Sequence, residues 1–179
     1  MALFRNFYRC ARFDCEWIDD WSAMCADDCP ECGARHMSPF KSEDIEVEAA
    51  TRLCLFHKID YDGKGSGALV KLAYPETKMV GLDYADEFDM SLADGATVFV
   101  VDFCFEPHDR MAELQKHAKI LFWLDHHKTA INGCLSLGLK FPGIQTVGKA
   151  AIELTWNFLH PDEPLPEIVR YIADHDLWQ

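Results

Sequence analysis

A chain of 179 residues is long enough for one α/β domain with a substantial core and a small appended unit. Its formal net charge of −13 argues against a protein that grips long nucleic acid, because that task requires a basic face. No stretch approaches the roughly 18 apolar residues of a membrane helix, and the first residues lack a secretory signal pattern. We therefore expect a cytoplasmic protein with no membrane partner.

The first 40 residues contain five of the eight cysteines. A C-x2-C knuckle followed by glycine lets two thiolates meet one ion, and a second pair of cysteines would complete a tetrahedral site. Cys25 or His36 is an alternative for one of the four ligands. We expect a small zinc-ribbon-like or rubredoxin-like unit over residues 1–40 with one structural Zn²⁺. So short a segment has too small a hydrophobic core to fold stably without a bound metal ion. The four expected thiolate ligands are Cys10, Cys15, Cys29 and Cys32.

A second unit is expected over residues 45–179, and its first strand is predicted at residues 52–56. The strand ends in the sequence HKIDYDG, in which Asp60 and Asp62 are two positions apart. Because side chains at that spacing point the same way on an extended backbone, the two carboxylates can face one cavity, with His57 in reach.

The glycines after Asp62 predict a tight turn into a helix that begins near Ser66. Free N–H groups at the start of a helix favour a phosphate, so Ser66 and Gly67 are candidate substrate-binding residues. The G-x4-G-K-[ST] pattern is absent, which excludes a Walker P-loop.

Two further strands are predicted at residues 78–82 and 97–101, and the second ends at Asp102. Taken alone, Asp102 is typical of a helix N-cap. A polar, amphipathic helix is predicted at residues 107–118. Strand and helix patterns in this alternation predict right-handed crossovers and a parallel sheet.

The apolar run at residues 119–124 predicts a buried strand, and it stops at the tripeptide Asp125-His126-His127. Because ligands of parallel sheets bind beyond the carboxyl ends of the strands, the polar residues at these ends are expected to share one site. Further along the chain, residues 146–159 predict an amphipathic helix, and Pro166 opens a last helix that leads to Asp174. The remaining histidines are interpreted as surface or capping residues: His108, His117, His160 and His175.

Four blocks in this order resemble the DHH phosphoesterase superfamily: HKIDYDG, the strand-ending VVD, DHH, and IADHDLW, between His57 and Trp178. That superfamily includes RecJ-type exonucleases, oligoribonucleases, cyclic-dinucleotide phosphodiesterases, exopolyphosphatases and family II inorganic pyrophosphatases. The resemblance implies a doubly wound parallel sheet with a site for two Mn²⁺ or Mg²⁺ ions.

Motif positions in the resemblance imply six ligands, one of which is shared. Asp102 would bridge the two ions. Asp174 is preferred over Asp176 because it directly follows the apolar end of the last helix, and Asp176 stays an alternative. The ligands of the first ion would be His57, Asp60 and Asp102. The ligands of the second ion would be Asp62, Asp102, His126 and Asp174.

Two further residues of the DHH block receive catalytic roles from the resemblance. Asp125 is expected to orient His126, and His127 to contact the substrate phosphate. The implied reaction is two-metal hydrolysis of a phosphodiester or phosphoanhydride bond in a small nucleotide or short oligonucleotide.

In most of the superfamily a second domain with basic substrate-binding residues follows the last motif, whereas this chain stops three residues after Asp176. The chain is expected to be the N-terminal piece of a longer protein, or to work with a partner such as a second copy. Two other functions stay open: a non-catalytic, zinc-containing binding or assembly module, and a single-strand exonuclease.

Overall fold

The computed structural model describes residues 3–12, 14–21, 24–45 and 51–178. The chain divides into two compact units, Met1–Ala49 and Ala50–Gln179. The first unit continues past residue 40, where the sequence suggested its end, because the strand Lys41–Ile45 pairs with the strand Leu3–Cys10. Within the described residues no helix has the length and apolarity needed to cross a bilayer.

The first unit contains an antiparallel sheet of three strands: β1 (Leu3–Cys10), β2 (Cys15–Trp21) and β3 (Lys41–Ile45), in the order β2-β1-β3. β1 and β2 form a hairpin whose last register pair is Cys10 with Cys15. The segment between β2 and β3 carries Cys29 and Cys32. The pairing of β1 with β2 therefore brings one pair of cysteines together.

The second unit is an α/β fold around a parallel sheet of five strands. The four strands predicted from sequence are confirmed, and the short β8 is an addition without an apolar run to indicate it. The strands are β4 (Arg52–His57), β5 (Lys78–Leu82), β6 (Thr97–Val101), β7 (Ile120–Asp125) and β8 (Gly143–Gln145).

In the described part of this unit, three α-helices and one short 3₁₀ turn connect the strands, and two further α-helices follow β8. The helices are α1 (Tyr61–Ala73), α2 (Asp109–His117), α3 (Lys128–Ser136), α4 (Ala151–Leu159) and α5 (Glu167–Asp176), and the 3₁₀ turn is Met90–Ala93. The prediction that the first helix begins near Ser66 is wrong: α1 begins at Tyr61, because the Asp60 side chain accepts a hydrogen bond from the N–H of Gly63 and caps the helix. Helix α3 was not predicted.

Helices cover both faces of this sheet. Alternate strand residues point to opposite faces, so Leu55 and Val100 pack with Met111 of α2, whereas Cys54 and Val101 pack with Val70 of α1. The prediction of a parallel sheet between two helical layers is confirmed.

The strand order β5-β4-β6-β7-β8 places the first strand of the unit, β4, beside the third, β6. The chain leaves β4 towards one edge of the sheet and leaves β6 towards the other. This reversal is a topological switch point, where open α/β sheets leave a crevice at the carboxyl ends of the strands. His57 ends β4 and Asp102 follows β6, so both lie at that crevice.

Candidate metal centre

Asp102 lies at the centre of the polar group in this crevice. Its backbone has a φ of +52°, a left-handed conformation that L-residues other than glycine adopt at a cost. Its side chain is buried, with 1% exposure, and neither carboxylate oxygen has a hydrogen-bond partner among the described residues. Buried polar atoms in native proteins are nearly always satisfied, so an unpartnered buried carboxylate indicates a place for a ligand.

The two oxygens of Asp102 face different imidazoles. Oδ1 lies 3.4 Å from Nε2 of His126, which follows β7, and Oδ2 lies 3.7 Å from Nδ1 of His57, which ends β4. Although burial opposes the effect, these two imidazoles lower the pKa of Asp102, so the carboxylate is held in its charged form. The sheet thus holds one anion between two nitrogen donors.

The first ligand group consists of His57, Asp60 and Asp102. Nδ1 of His57 lies 2.6 Å from Oδ2 of Asp60, while Oδ1 of Asp60 accepts the N–H of Gly63 at 2.8 Å. Gly63 is required here, since a Cβ at that position would lie 2.3 Å from the carbonyl oxygen of His57. The predicted set for the first ion is therefore brought together by a close turn between β4 and α1.

The second ligand group consists of Asp62, His126 and Asp176. Nε2 of His126 lies 3.5 Å from Oδ2 of Asp62 and 3.6 Å from Oδ2 of Asp176. Burial and the nearby charge of Asp102 raise the pKa of Asp62 to about 7, and burial also raises the pKa of Asp176. These carboxylates are withdrawn from water and repel one another, and a divalent cation bound between them would relieve this repulsion.

Asp62 has a second task that the sequence did not reveal. Its two oxygens accept the N–H groups of Ala151 at 2.8 Å and of Ile152 at 2.7 Å, at the first turn of α4. A carboxylate at a helix N-terminus is stabilised by the free N–H groups and by the helix dipole. Asp62 therefore anchors α4 to α1 while one of its oxygens faces His126.

The position of Asp174 does not favour it as the last ligand, whereas the alternative, Asp176, lies with His126 and Asp62. Successive residues of an α-helix are rotated by about 100°, so residues two apart project from nearly opposite sides. When Asp176 of α5 faces His126, Asp174 projects elsewhere, and it belongs to none of the described ligand groups.

The expected partner of Asp125 is also corrected. Asp125 is fully buried, and its Oδ1 accepts hydrogen bonds from both the N–H and the Nδ1 of His127, at 2.9 and 2.8 Å. Its Oδ2 accepts the indole N–H of Trp123 at 3.1 Å. Asp125 thus orients His127 rather than His126, and this hydrogen bond raises the pKa of His127 to about 9.

Ser66 and Gly67 cannot bind a phosphate at a helix end, contrary to expectation. Both residues are buried in the middle of α1, where backbone N–H groups serve the helix itself. Gly67 packs closely on Phe56, and the Ser66 hydroxyl has no hydrogen-bond partner among the described residues.

One acidic residue at the site was missed. Asp83 directly follows β5, and its Oδ1 lies 3.7 Å from Nε2 of His57. The signal was present in the sequence, because Asp83 follows a predicted strand in the same way as Asp102.

The four cysteines predicted for the first unit also come together. Sγ of Cys10 lies 3.7 Å from Sγ of Cys32, and Sγ of Cys15 lies 3.5 Å from Sγ of Cys29. Although burial opposes the effect, the backbone N–H groups of Cys32 and Glu31 lower the pKa of Cys29 to about 7, which favours its thiolate. The ligand group that forms in this unit contains Cys10, Cys15 and Cys29, and Cys32 lies beside it through its contact with Cys10. Neither Cys25 nor His36 belongs to that group.

The fold and these groups define an α/β protein with candidate metal-binding residues at the carboxyl edge of a parallel sheet and with a separate cysteine cluster. The chain is similar to the uncharacterized protein R106 of Acanthamoeba polyphaga mimivirus, with 30% identity over 161 residues, which is 79% of this chain and 35% of that protein. It therefore spans about a third of the length of this curated relative. No family model matches the chain, and no solved structure matches it.

Proposed function

We propose that the second unit is a metal-dependent phosphohydrolase of the DHH type that cleaves a phosphodiester or phosphoanhydride bond in a small nucleotide or short oligonucleotide. The observation that carries this proposal is the Asp102 carboxylate. It is buried, it has no hydrogen bond among the described residues, and it faces an imidazole on each side. A carboxylate in this position could be shared by two ions.

Carboxylates and imidazoles suit Mn²⁺ or Mg²⁺, whereas thiolates suit Zn²⁺. When bound, two such ions supply positive charge that neutralises the phosphoryl group and lowers the pKa of a water molecule. The residues that would hold them are His57, Asp60 and Asp102 for one ion, and Asp62, Asp102, His126 and Asp176 for the other.

His127 is the proposed contact for the substrate phosphate. Asp125 fixes its ring through Nδ1, and the side chain of His127 is 36% exposed, so the other edge of the ring is open to a ligand. An imidazolium held by a buried carboxylate offers both a positive charge and a proton to an oxygen of a phosphate.

A nucleotide is favoured over a simple phosphate by aromatic residues next to the site. A cavity of about 140 Å³ adjoins the acidic group, and its walls include the exposed rings of Tyr61 and Trp178. Aromatic side chains beside a phosphate site offer a stacking surface for a base. The cavity is lined by Asp60, Tyr61, Asp62, His175, Asp176 and Trp178.

The first unit is proposed to hold one structural Zn²⁺ through Cys10, Cys15, Cys29 and Cys32. Four thiolates leave no open position for chemistry, so this ion would stabilise the unit and take no part in hydrolysis.

The direct test is Asp102→Asn, which keeps the size of the side chain and removes its charge. We expect Mn²⁺-dependent hydrolysis of a nucleotide panel to fall on the order of 10³-fold, the scale of losing a principal electrostatic group. The matched control is Asp162→Asn, which changes an exposed acid in a turn and should leave the rate unchanged. Undiminished hydrolysis in Asp102→Asn with an intact fold would overturn the assignment.

A second candidate function is a non-catalytic binding or assembly module, because the structural role of Asp62 accounts for this buried carboxylate without any turnover. Because Asp62 anchors α4 through two backbone hydrogen bonds, the fold needs this carboxylate even in a protein without turnover. One tightly held zinc, no uptake of Mn²⁺ and no hydrolysis in Mn²⁺ buffer would identify this alternative.

A further inference from the structure

A third group of metal-competent side chains lies outside the acidic site. Cys104, two residues after Asp102, lies in the loop before α2, His108 directly precedes α2, and Cys134 belongs to α3. Sγ of Cys104 lies 3.8 Å from Sγ of Cys134 and 3.7 Å from Nδ1 of His108. The interpretation of His108 as a surface or capping residue therefore needs revision, since its ring meets two thiols that are each 1% exposed.

These distances match those between the ligands of one tetrahedral ion. Zinc binds sulfur at about 2.3 Å and nitrogen at about 2.0–2.1 Å, so tetrahedral angles place two sulfurs about 3.8 Å apart and a sulfur and a nitrogen about 3.6 Å apart. A disulfide, in contrast, needs its sulfurs at about 2.05 Å. The group is spaced for a shared ion rather than for a covalent bond.

The position of His108 depends on a glycine. A Cβ at Gly133 of α3 would lie 1.9 Å from Cδ2 and 2.1 Å from Nε2 of His108. The imidazole therefore rests directly on the backbone of α3, one residue before Cys134. Only the missing side chain at position 133 allows the ring to come so close to this thiol.

A carbonyl group completes the surroundings of the imidazole. The carbonyl oxygen of Phe105 lies 3.1 Å from Nδ1 of His108 and 3.6 Å from Sγ of Cys104. An ion would take the place of the proton that Nδ1 donates to this oxygen in its absence. No fourth Cys, His, Asp or Glu atom joins this group within the part of the chain that is described, so the fourth position is left to water or to this carbonyl.

The charge of the ligands suits a divalent ion. Two thiols that lose their protons on binding, together with a neutral imidazole, offset the charge of Zn²⁺, whereas Cu⁺ would leave a buried negative charge. A buried centre without net charge avoids most of the cost of desolvation. Thiolate and imidazole together are also a ligand set that zinc prefers.

We propose that Cys104, His108 and Cys134 form a second thiolate site that binds one Zn²⁺. This ion would tie the loop that begins at Asp102 to helix α3, which begins directly after His127. It would thereby fix two segments that carry residues of the acidic centre, and it would take no part in hydrolysis. The site stands independently of the proposed phosphohydrolase activity, because neither its ligands nor its test involve turnover.

Cadmium-113 NMR of the reduced, full-length wild-type chain tests the site without any substitution. The chemical shift of ¹¹³Cd separates a site with four sulfurs from one with two sulfurs and a nitrogen, and both from oxygen-rich sites. We expect two resonances in the thiolate range, one of each kind. A saturated protein that shows only the four-sulfur resonance would overturn the proposal.

Two pairs of variants assign the second resonance. Gly133→Ala should remove it without altering any ligand, because the new Cβ displaces the His108 ring, whereas Asn132→Ala at the neighbouring exposed position of α3 should keep it. Cys134→Ala should lower the zinc content by one ion per chain, and Cys54→Ala, which removes a buried thiol outside the group, should not. Equal zinc content in all four variants would also refute the site.

Discussion

The acidic centre and the cysteine unit are assembled in opposite ways. The acidic centre draws its residues from strand ends and helices spread between His57 and Asp176, and two packed faces of the sheet hold these elements whether or not an ion is bound. In the cysteine unit, only Asn6, Tyr8, Cys10 and Cys29 are buried among the described residues. The fold of the second unit therefore brings the acidic residues together without an ion, whereas the cysteine unit is expected to fold only when its ion is bound.

The largest effect should come from disrupting the proposed zinc site of the cysteine unit. Binding of a structural zinc is worth roughly 10–16 kcal/mol, far more than so small a core supplies, so Cys29→Ser should unfold the first unit alone. Limited proteolysis with mass spectrometry should show new cuts within residues 3–45 and protection of residues 51–178. Cys25→Ser, in the same unit but outside the thiolate group, is the matched control and should stay protected.

Resistance of the first unit to proteolysis in Cys29→Ser, or after treatment with a strong chelator, would contradict the expectation that this unit needs an ion to fold. In that case the antiparallel sheet would be stable by itself, and the thiolates would be free for another purpose.

The next largest effect should come from Asp62→Ala. This change leaves the buried N–H groups of Ala151 and Ile152 without acceptors, at roughly 1–3 kcal/mol for each group. Because it also removes a carboxylate that Asp102 repels, part of this loss is offset, and the free energy of unfolding should fall by about 2 kcal/mol. Urea unfolding in the presence of EDTA measures this structural part. Asp109→Ala, which removes an exposed acid from the first turn of α2, should cost less than about 1 kcal/mol. Equal losses of unfolding free energy in Asp62→Ala and Asp109→Ala would show that Asp62 does not anchor α4.

A smaller effect separates the two acids at the end of α5. Asp176→Asn should weaken Mn²⁺ binding on the order of 100-fold, the upper range for losing a partner of a metal site, because its carboxylate faces His126. Asp174→Asn is the control of identical chemistry and should leave the affinity unchanged. Isothermal titration with Mn²⁺ measures both, and the reverse result would restore Asp174 as the ligand.

The smallest effect concerns the base. Trp178→Ala should raise KM for a nucleotide about fivefold, corresponding to about 1 kcal/mol of lost stacking, without changing KM for inorganic pyrophosphate, which has no base. The ring is 95% exposed, so its removal should not affect stability. Trp21→Ala, an exposed tryptophan of the other unit, is the control. A parallel rise with both substrates would place Trp178 in another role.

Strand ends were the most predictable part of this protein. Apolar runs such as residues 97–101 have a length and a boundary that a sequence displays, and the rule that ligands lie beyond parallel strands then locates Asp102 and His126. The start of α1 and the orientation of the end of α5 were less predictable. Asp60 caps α1, which begins at Tyr61, five residues before the expected start at Ser66. The choice between Asp174 and Asp176 depends on helix rotation, which an apolar pattern fixes only loosely.

Contacts between distant segments were the least predictable. The hydrogen bonds of Asp62 to α4 span 89 and 90 positions of the chain, and nothing in the HKIDYDG block indicates them. The group around Cys104 joins a C-x3-H spacing to Cys134 in a helix that was not predicted. Gly133, directly before Cys134, was the one further indication in the sequence. Its role becomes clear only when the structure shows the His108 ring against it.

The double use of Asp62 affects how a relative without the proposed activity would look. Such a relative would still need this carboxylate, because two helices are joined through it. Asp102 has no such protection: it has a left-handed backbone and no hydrogen-bond partner among the described residues, so glycine or asparagine would replace it readily once ions were no longer bound. Position 102, rather than position 62, would therefore distinguish relatives that have the proposed activity from relatives that lack it.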